Sequence, residues 1–570
     1  MGRPSPDSVV SRFNDAKTAR SPNEPDWRMA AAYCLPRHYN AWVTEGMPSY
    51  GNSVAATRRV AYDSTAALAV PKYAAILERL ATPHGTRWSG ITVADKSLAK
   101  KVRVQKYFQD LNDLLYRYRY NPMARFQQAT AEVYTSMGVY GTGPMYMGQR
   151  QPNALSRTPS FLYKACPLRD IYILVNDEGE VDTVFRSFWL NVRQFKQKFP
   201  NDPLPPSLAT KVPTGSTDMK DNEYVQFFHV VHPRTDHDPQ ALDATRHPLV
   251  GSYVCVNDKV YVGDEQGYRS MPYLTPRTFT ESGNPYGYSP AHAALPAMGG
   301  ASAMKKTNLR QGQKAADPVL LAHDDGVING NVDQRPGAVN FGGVDKNGKL
   351  LIRTLDAGNF QVSKDLLQDE RNDINDSFFV TLFKILEESK EMTATEVMER
   401  VSKESALLSP TAGRCQSELL APEHARGIDL LQEMGLVQED ESGPGLIMPP
   451  ELIEAKGEYE IIYTSPLAKG MYAEEVSGFL RSIEMTLQIV NATQDPSHLD
   501  HYNFDVAIPE ISNYLAVPQR WLNDDKKKEE IAENRGAQQE QEQLMKNAGP
   551  IAGALKTASE MQQGTTKPGA

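Results

Sequence analysis

Along this chain the spacing of apolar positions changes character several times. The run RRVAYDSTAALAVPKYAAILERL, Arg58 to Leu80, is Ala-rich and repeats at helical intervals, with Pro71 marking a kink or a boundary. A second helical stretch extends from about Ser97 to Met137. From Phe161 to about Phe279 the period becomes that of strands: FLYKAC, DIYILV, TVFRSFWL, YVQFFHVVH and SYVCV…KVYVG are β-branched and aromatic runs. Turn residues separate them, and hairpin turns are expected at Asn176–Gly179 and at Asn257-Asp258. Helical spacing returns over 293–316, where Asp317-Pro318 should stop it, and again over 363–386. Residues 317–362 between these helices read as short strands and glycine turns, with a hairpin signal at Asn347-Gly348.

The two helices that flank this small module carry stripes of opposite charge. Lys305, Lys306, Arg310 and Lys314 lie on the first; Asp365, Asp369, Asp373 and Asp376 lie on the second, beside an apolar line of Leu367, Ile374, Phe378, Leu382 and Ile385. At 1.5 Å per residue each helix is about 35 Å long. Singly, each stripe reads as a solvated face; together they suggest antiparallel partners. A short charged break follows, Glu387, Glu388, Ser389, Lys390, Glu391 and Met392. Helix then restarts at a capping box, Thr393 with Glu396, in which hydroxyl and carboxylate each satisfy a free backbone donor. On these residues alone the break is either an ordinary helix–helix turn or a loop with a task. RCQSELLAPEHARGIDLLQEMGLV reads as an amphipathic helix pair, EYEIIYTSPLAK contains a strand, and a helix is expected from about Ala473 to Val490. The segment 523–547 is polar on every face, a helix that is stable only in a bundle, and 548–570 reads as a disordered tail.

Length and charge narrow the class. A chain of 570 residues suggests three or four domains, or one interlocked structure. With 61 basic and 70 acidic residues the net charge is −9, which argues against coating DNA by neutralising phosphates but not against DNA sliding past. Cys34, Cys166, Cys255 and Cys415 lie far apart without a C-x-x-C, as expected of buried thiols in a reducing, intracellular setting. The N-terminal residues lack the apolar core of a signal peptide, Gly2 followed by Pro4 is a poor myristoylation signal, and no apolar run reaches the length of a membrane span.

Chemistry leaves few marks. There is no G-x-x-x-x-G-K-[ST], no H-E-x-x-H and no G-x-S-x-G, and Gly141-Thr142-Gly143 lacks the third glycine of a dinucleotide loop and reads as a turn. His232, Asp236, His237, Asp238 and His247 are the best metal candidates, but their spacing matches no familiar site and the segment reads as a solvated loop. No cofactor is expected.

The order of elements resembles that of the head-to-tail connector, or portal, proteins of short-tailed bacteriophages, from about Trp27 to Leu522. The resemblance rests on RRVAYDSTAALAVPKYAAILERLATPHGTRWSGI; on Arg186-Ser187-Phe188 and Phe195; and on NPYGYSPAHAALPAM, DPVLLAHDDG and RPGAVNF. Its most specific part is MTATEVMERVSKESALLSPTAGRCQSELLAPEHARGIDLLQEMG, with Arg400, Arg414, Glu418 and Pro422, completed by IIYTSPLAK. The resemblance implies a mainly helical α+β portal fold assembled as a ring of twelve at one capsid vertex. Its parts would be a wing (1–292, with the β-rich insert at 161–279), stem helix 1 (293–316), a clip (317–362), stem helix 2 (363–386), a tunnel loop (387–392), a returning wing segment (393–500) and a crown (501–547). It further implies double-stranded DNA in the channel, with the terminase large subunit, tail adaptor or nozzle proteins, and major capsid and scaffolding proteins as partners. The virion would be its location, after assembly in the host cytoplasm. Twelve copies at −9 each carry −108, a channel past which DNA slides without sticking. The competing readings are a carboxylate-based, metal-dependent hydrolase or nuclease, and another ring-shaped tail adaptor.

Overall fold

A computed structural model describes residues 4–36, 61–234 apart from 85, 100, 151–158 and 212–222, then 236–237 and 246–316. It further describes 320–322, 347–354, 360–381, 410–438 apart from 412, 445–454, 459–463 and 466–504, with isolated positions elsewhere. The chain divides into two units, Met1–Glu475 and Val476–Ala570.

The first unit opens with α1 (Pro6–Arg20), started by Ser5, whose hydroxyl accepts from the Ser8 N–H at 3.3 Å, with Pro6 in the first turn and Asp7 beside the helix's positive end. Helix α2 (Glu24–Cys34) follows. Helix α3 (Thr65–Ala81) runs straight through Pro71, so that proline is neither boundary nor stop. Its buried Ala66, Ala69, Val70, Tyr73 and Leu77 hold it against neighbours, which offsets the one backbone bond a proline removes.

After β1 (Ser89–Val93), the expected single helix is two: α4 (Val102–Arg119) and α5 (Phe126–Tyr140). The break is local chemistry. Asn121 Oδ1 accepts from the Met123 N–H at 2.9 Å, Pro122 follows, and Arg125 adopts a left-handed φ of 61°. At the far end of α5, Gly141 (φ 81°) closes the helix where an added Cβ would lie 2.2 Å from the Gly287 carbonyl oxygen. That turn is what Gly141-Thr142-Gly143 builds.

Two antiparallel sheets come next. β2 (Met145–Arg150) lies between β3 (Ser160–Ala165) and, beyond the second sheet, β9 (Tyr273–Leu274). The larger sheet is a five-stranded meander: β4 (Ile171–Val175), β5 (Val181–Leu190), β6 (Val225–Pro233), β7 (Leu249–Cys255) and β8 (Val260–Tyr268). Its turns fall at Asn176–Glu180, with Gly179 at φ 81°, and at Val256–Lys259. Alternation along the strands gives the meander two apolar faces. On one, Phe13 of α1 packs against Tyr172, Phe185 and Phe228. On the other, Phe195 and Phe199 sit with Val225, Phe227 and Val262 around helix α6 (Val192–Lys198), which starts at an Asn191/Gln194 capping box.

Helix α7 (Pro290–Ala316) ends where Asp317-Pro318 follows, and β10 (Leu320–Ala322) pairs with β11 (Ile352–Thr354). Helix α8 (Phe360–Ser377) returns. It is interrupted inside the expected span 363–386: Phe379 takes a left-handed φ of 58°, and Phe378 and Phe379 both turn onto Tyr73, with ring centroids 6.1 and 6.4 Å away. Helix α9 (Ala421–Glu433), entered through a π-turn at Gln416–Leu420, leads to β12 (Tyr459–Tyr463), which pairs antiparallel with β1. Helix α10 (Pro466–Thr493) begins earlier than the expected Ala473. In the second unit Tyr502 Oη meets Thr486 Oγ1 at 2.9 Å, and its ring packs edge-on against Phe479. All four cysteines are buried and unbridged.

Candidate functional site: the paired helices and their seat

Helices α7 and α8 are antiparallel. Ser363 Oγ hydrogen-bonds Asn308 Oδ1 at one end, while at the other Gly300 lies against the Glu370 carboxylate, 3.1 Å from where a Cβ would be. As numbers fall on α7 they rise on α8. This register answers the question of the charged stripes. Asp373 and Asp376 fall opposite the Ala294–Met298 stretch, and Lys314 lies beyond the start of α8. Only Lys305 and Lys306 come level with Asp365. Among the described residues no ion pair within the chain joins Lys305, Lys306, Arg310 or Lys314 to Asp369, Asp373 or Asp376. The stripes are offset end to end: basic where the pair leaves toward 317–359, acidic nearer the core.

The pair is seated by polar anchors from the residues that lead into α3. Arg371 donates to Asp63 Oδ2 through Nε (3.0 Å) and Nη2 (2.6 Å), and the Tyr62 N–H reaches Ser302 Oγ at 3.0 Å. Asp63 also accepts from the Thr65 N–H at 2.9 Å, so one carboxylate starts α3 and holds α8. Burial would raise that carboxyl, but the Thr65 and Arg371 hydrogen bonds outweigh it and hold it low.

The segment 410–433 makes two ionic joints, the first partly buried and the second wholly so. Glu418 takes the Arg277 N–H at 2.7 Å and its Nη2 at 2.7 Å, with Arg414 Nη1 at 3.3 Å; Arg277 Nη2 also donates to the Gly179 carbonyl at 3.0 Å. The π-turn is thereby tied to the β4–β5 hairpin, beside a cleft of about 750 Å³ that Glu281, Arg414 and Pro422 also line. One turn later, Arg119 meets Glu423 in a fork of 2.9 and 2.5 Å, Tyr163 Oη donates to Glu423 at 2.5 Å, and both charged side chains are almost wholly buried. His424 Nδ1 donates to the Leu420 carbonyl at 2.6 Å, leaving Nε2 to accept from Arg119 (3.2 Å) and Ser89 (2.8 Å). Burial, then the Arg119 charge, push His424 down to about 4, so it is neutral at pH 7. Burial would raise Glu423, but Arg119 and His424 hold it below the usual carboxylate range.

Of the sequence-level candidates, Glu387–Met392 and the Thr393/Glu396 cap lie outside the described residues, as do most of 317–359 and most of 501–547. His232 is not in a loop: it sits buried on β6, its Nδ1 2.9 Å from the Pro233 carbonyl. Asp238 lies outside the described residues, and among the described ones no cluster of three metal-ligating side chains occurs. Arg414 and Glu418 proved to be one joint with Arg277. Arg119 and Glu423 were missed, because nothing in a sequence links positions 304 residues apart.

No helix of the described residues is long and apolar enough to cross a membrane. The described residues thus form a body of mixed helix and sheet on which an antiparallel helix pair is seated. The family model for the bacteriophage head to tail connecting protein matches residues 7–522, and the chain belongs to that family. It is 25% identical over 443 residues to the portal protein of Salmonella phage epsilon15, covering 76% of this chain and 75% of that one. It is also 25% identical over 437 residues to the probable portal protein of Bordetella phage BPP-1, covering 73% and 72%.

Proposed function

We propose that twelve copies of this chain form a ring at one capsid vertex, through which the genome is packaged and later ejected. In this reading α7 and α8 are the stem, 317–362 the clip that docks the terminase motor and then tail adaptors, 387–392 a loop toward the channel axis, and 501–547 the crown. The observation that carries it is the antiparallel α7–α8 pair, whose outer ends, Ala316 and Phe360, lie on either side of residues 317–359 in the chain. Family membership adds the head–tail junction of a virion as the place of work. The protein acts by assembly and not by turnover, and the acids of α8 serve between subunits.

The offset stripes favour inter-subunit pairing. Each subunit presents a basic clip-side end and an acidic core-side end, so stems inclined to the ring axis bring the basic end of one against the acidic end of its neighbour. Purified protein should run at about twelve times 63.4 kDa and hydrolyse no ATP without added motor subunits. A stable monomer would overturn the ring, and intrinsic ATPase activity would overturn the non-enzymatic reading.

A further inference from the structure

Two cross-strand ladders face each other between the sheets. On the smaller sheet Lys164, Tyr146 and Tyr273 are successive partners across β3, β2 and the Tyr273–Leu274 strand. On the meander Arg186, His229 and Tyr253 are successive partners across β5, β6 and β7. His229 Nδ1 and Tyr273 Oη lie 2.8 Å apart and join the ladders. Tyr146 and Tyr273 pack at 5.2 Å, and His229 stacks on Tyr253 at 4.3 Å. Lys198, at the end of α6, brings its ammonium to 4.1 Å from the Phe188 ring and 4.1 Å from Tyr253. Three cations therefore converge among phenols, and among the described residues none of them is ion-paired. Asp170, whose charge favours the charged forms of Lys164 and Arg186 from a distance, is hydrogen-bonded by Arg169 at 3.1 Å.

Such an arrangement is costly alone. The Arg186 charge is the first cause that lowers Lys164, while desolvation followed by the Arg186 and Lys164 charges brings Lys198 to about 7. The two lysines are thus penalised by the charge of Arg186, which Tyr273 and Asp170 help to keep charged, and an anion would relieve both lysines together. Both lysines reach solvent, so the anion can arrive from outside.

We propose that Lys164, Arg186 and Lys198 form a binding site for a carboxylate side chain of a neighbouring copy of this chain. Carboxylates exceed basic groups in the chain, 70 against 61, so an assembly of copies supplies the missing charge from itself. The proposal rests on the ring reading given above. The aromatic faces fit a side chain delivered at a packed interface, where charge and stacking act together.

The test uses full-length protein, as dissociated protomers and as assembled rings. Lysines are acylated briefly at pH 7.5 and each site is read by mass spectrometry. Lys198 should react readily in protomers, where it is partly neutral, and be protected about tenfold or more in rings, since a buried interfacial charge pair of 1.5 kcal/mol or more is worth that factor. Lys198→Gln and Lys164→Gln, both at solvent-reaching positions, should each raise the concentration at which rings form, while leaving the urea midpoint of protomers unchanged. Equal Lys198 reactivity in rings and protomers overturns the proposal while leaving the ring itself intact. Protection of protomers by inorganic phosphate with no further change on assembly marks a free-anion site, and protection appearing only with duplex DNA marks a nucleic-acid contact; either overturns it. Absence of rings in electron micrographs strikes the reading it rests on instead.

Discussion

Replacing Glu423 by Gln tests the buried joint that holds α9 to the wing. Arg119 is 3% exposed and Glu423 1%, so the amide would leave a guanidinium with no counter-charge and Tyr163 Oη with a weaker acceptor. Breaking a buried pair on one side costs about 3–5 kcal/mol. That is a large share of the roughly 5–15 kcal/mol that keeps a domain folded. The converse change, Arg119→Met with Glu423→Leu, removes both charges and fills the space; such exchanges are often neutral, so the pair should recover most of the loss. The assay is urea unfolding of protomers at one protein concentration, followed by tryptophan fluorescence, to which Trp88 contributes from its place 4.5 Å from the Arg119 guanidinium. Glu423→Gln should lower the midpoint markedly, and a double-mutant cycle with Arg119→Met should give a coupling energy above about 1 kcal/mol. A single substitution that leaves the midpoint within about 0.5 kcal/mol of wild type, or losses that simply add, would show that the fork contributes no net stability.

How much of this was legible beforehand depends on the range of the interactions. The meander was legible because each strand declares itself by β-branched and aromatic runs between turn residues, as in TVFRSFWL. The end of α7 was legible from Asp317-Pro318. The break between α4 and α5 was missed although Asn121-Pro122 is a turn signal, because the apolar spacing continues across it. The break at Phe378-Phe379 was invisible, since Phe378 fits a helical stripe equally well and only its packing on Tyr73 decides otherwise. The charges of α7 and α8 are plain in the sequence, but the register of the two helices is set by Gly300 and Asn308, which no charge pattern encodes. The ionic joints join residues 141 and 304 positions apart and left no local trace.

Other outcomes follow from the same contacts. His424 is held neutral at about 4 against an ordinary 6.5, so stability is full above pH 6.5 and falls as pH drops toward 4, by about 3 kcal/mol at 1.36 kcal/mol per unit; a His424→Asn variant should lose that pH dependence in urea titrations. Gly141→Ala places a methyl 2.2 Å from the Gly287 carbonyl oxygen at a left-handed φ, and should cost on the order of 3 kcal/mol or abolish soluble expression; wild-type stability would refute the close approach. Arg125→Gly relieves a left-handed residue on an exposed side chain and should leave stability unchanged or raise it by up to about 1 kcal/mol in thermal scans. Reversing Asp365, Asp369, Asp373 and Asp376 to Lys should weaken ring assembly, and reversing Lys305, Lys306, Arg310 and Lys314 as well should partly restore it; a double reversal no better than the single would refute the pairing. Lys390→Ala should leave rings intact and alter genome packaging or retention, with deletion of 388–391 more severe; normal packaging by both would remove 387–392 from the channel.

The central claim is that this chain works as a ring around a DNA-sized channel, and negative-stain electron microscopy of the purified full-length protein tests it most directly. The account predicts end-on views of a closed ring with about twelve-fold symmetry and a central hole wide enough for duplex DNA, and side views with a narrow stem. Compact particles without a hole, at any protein concentration, would contradict it.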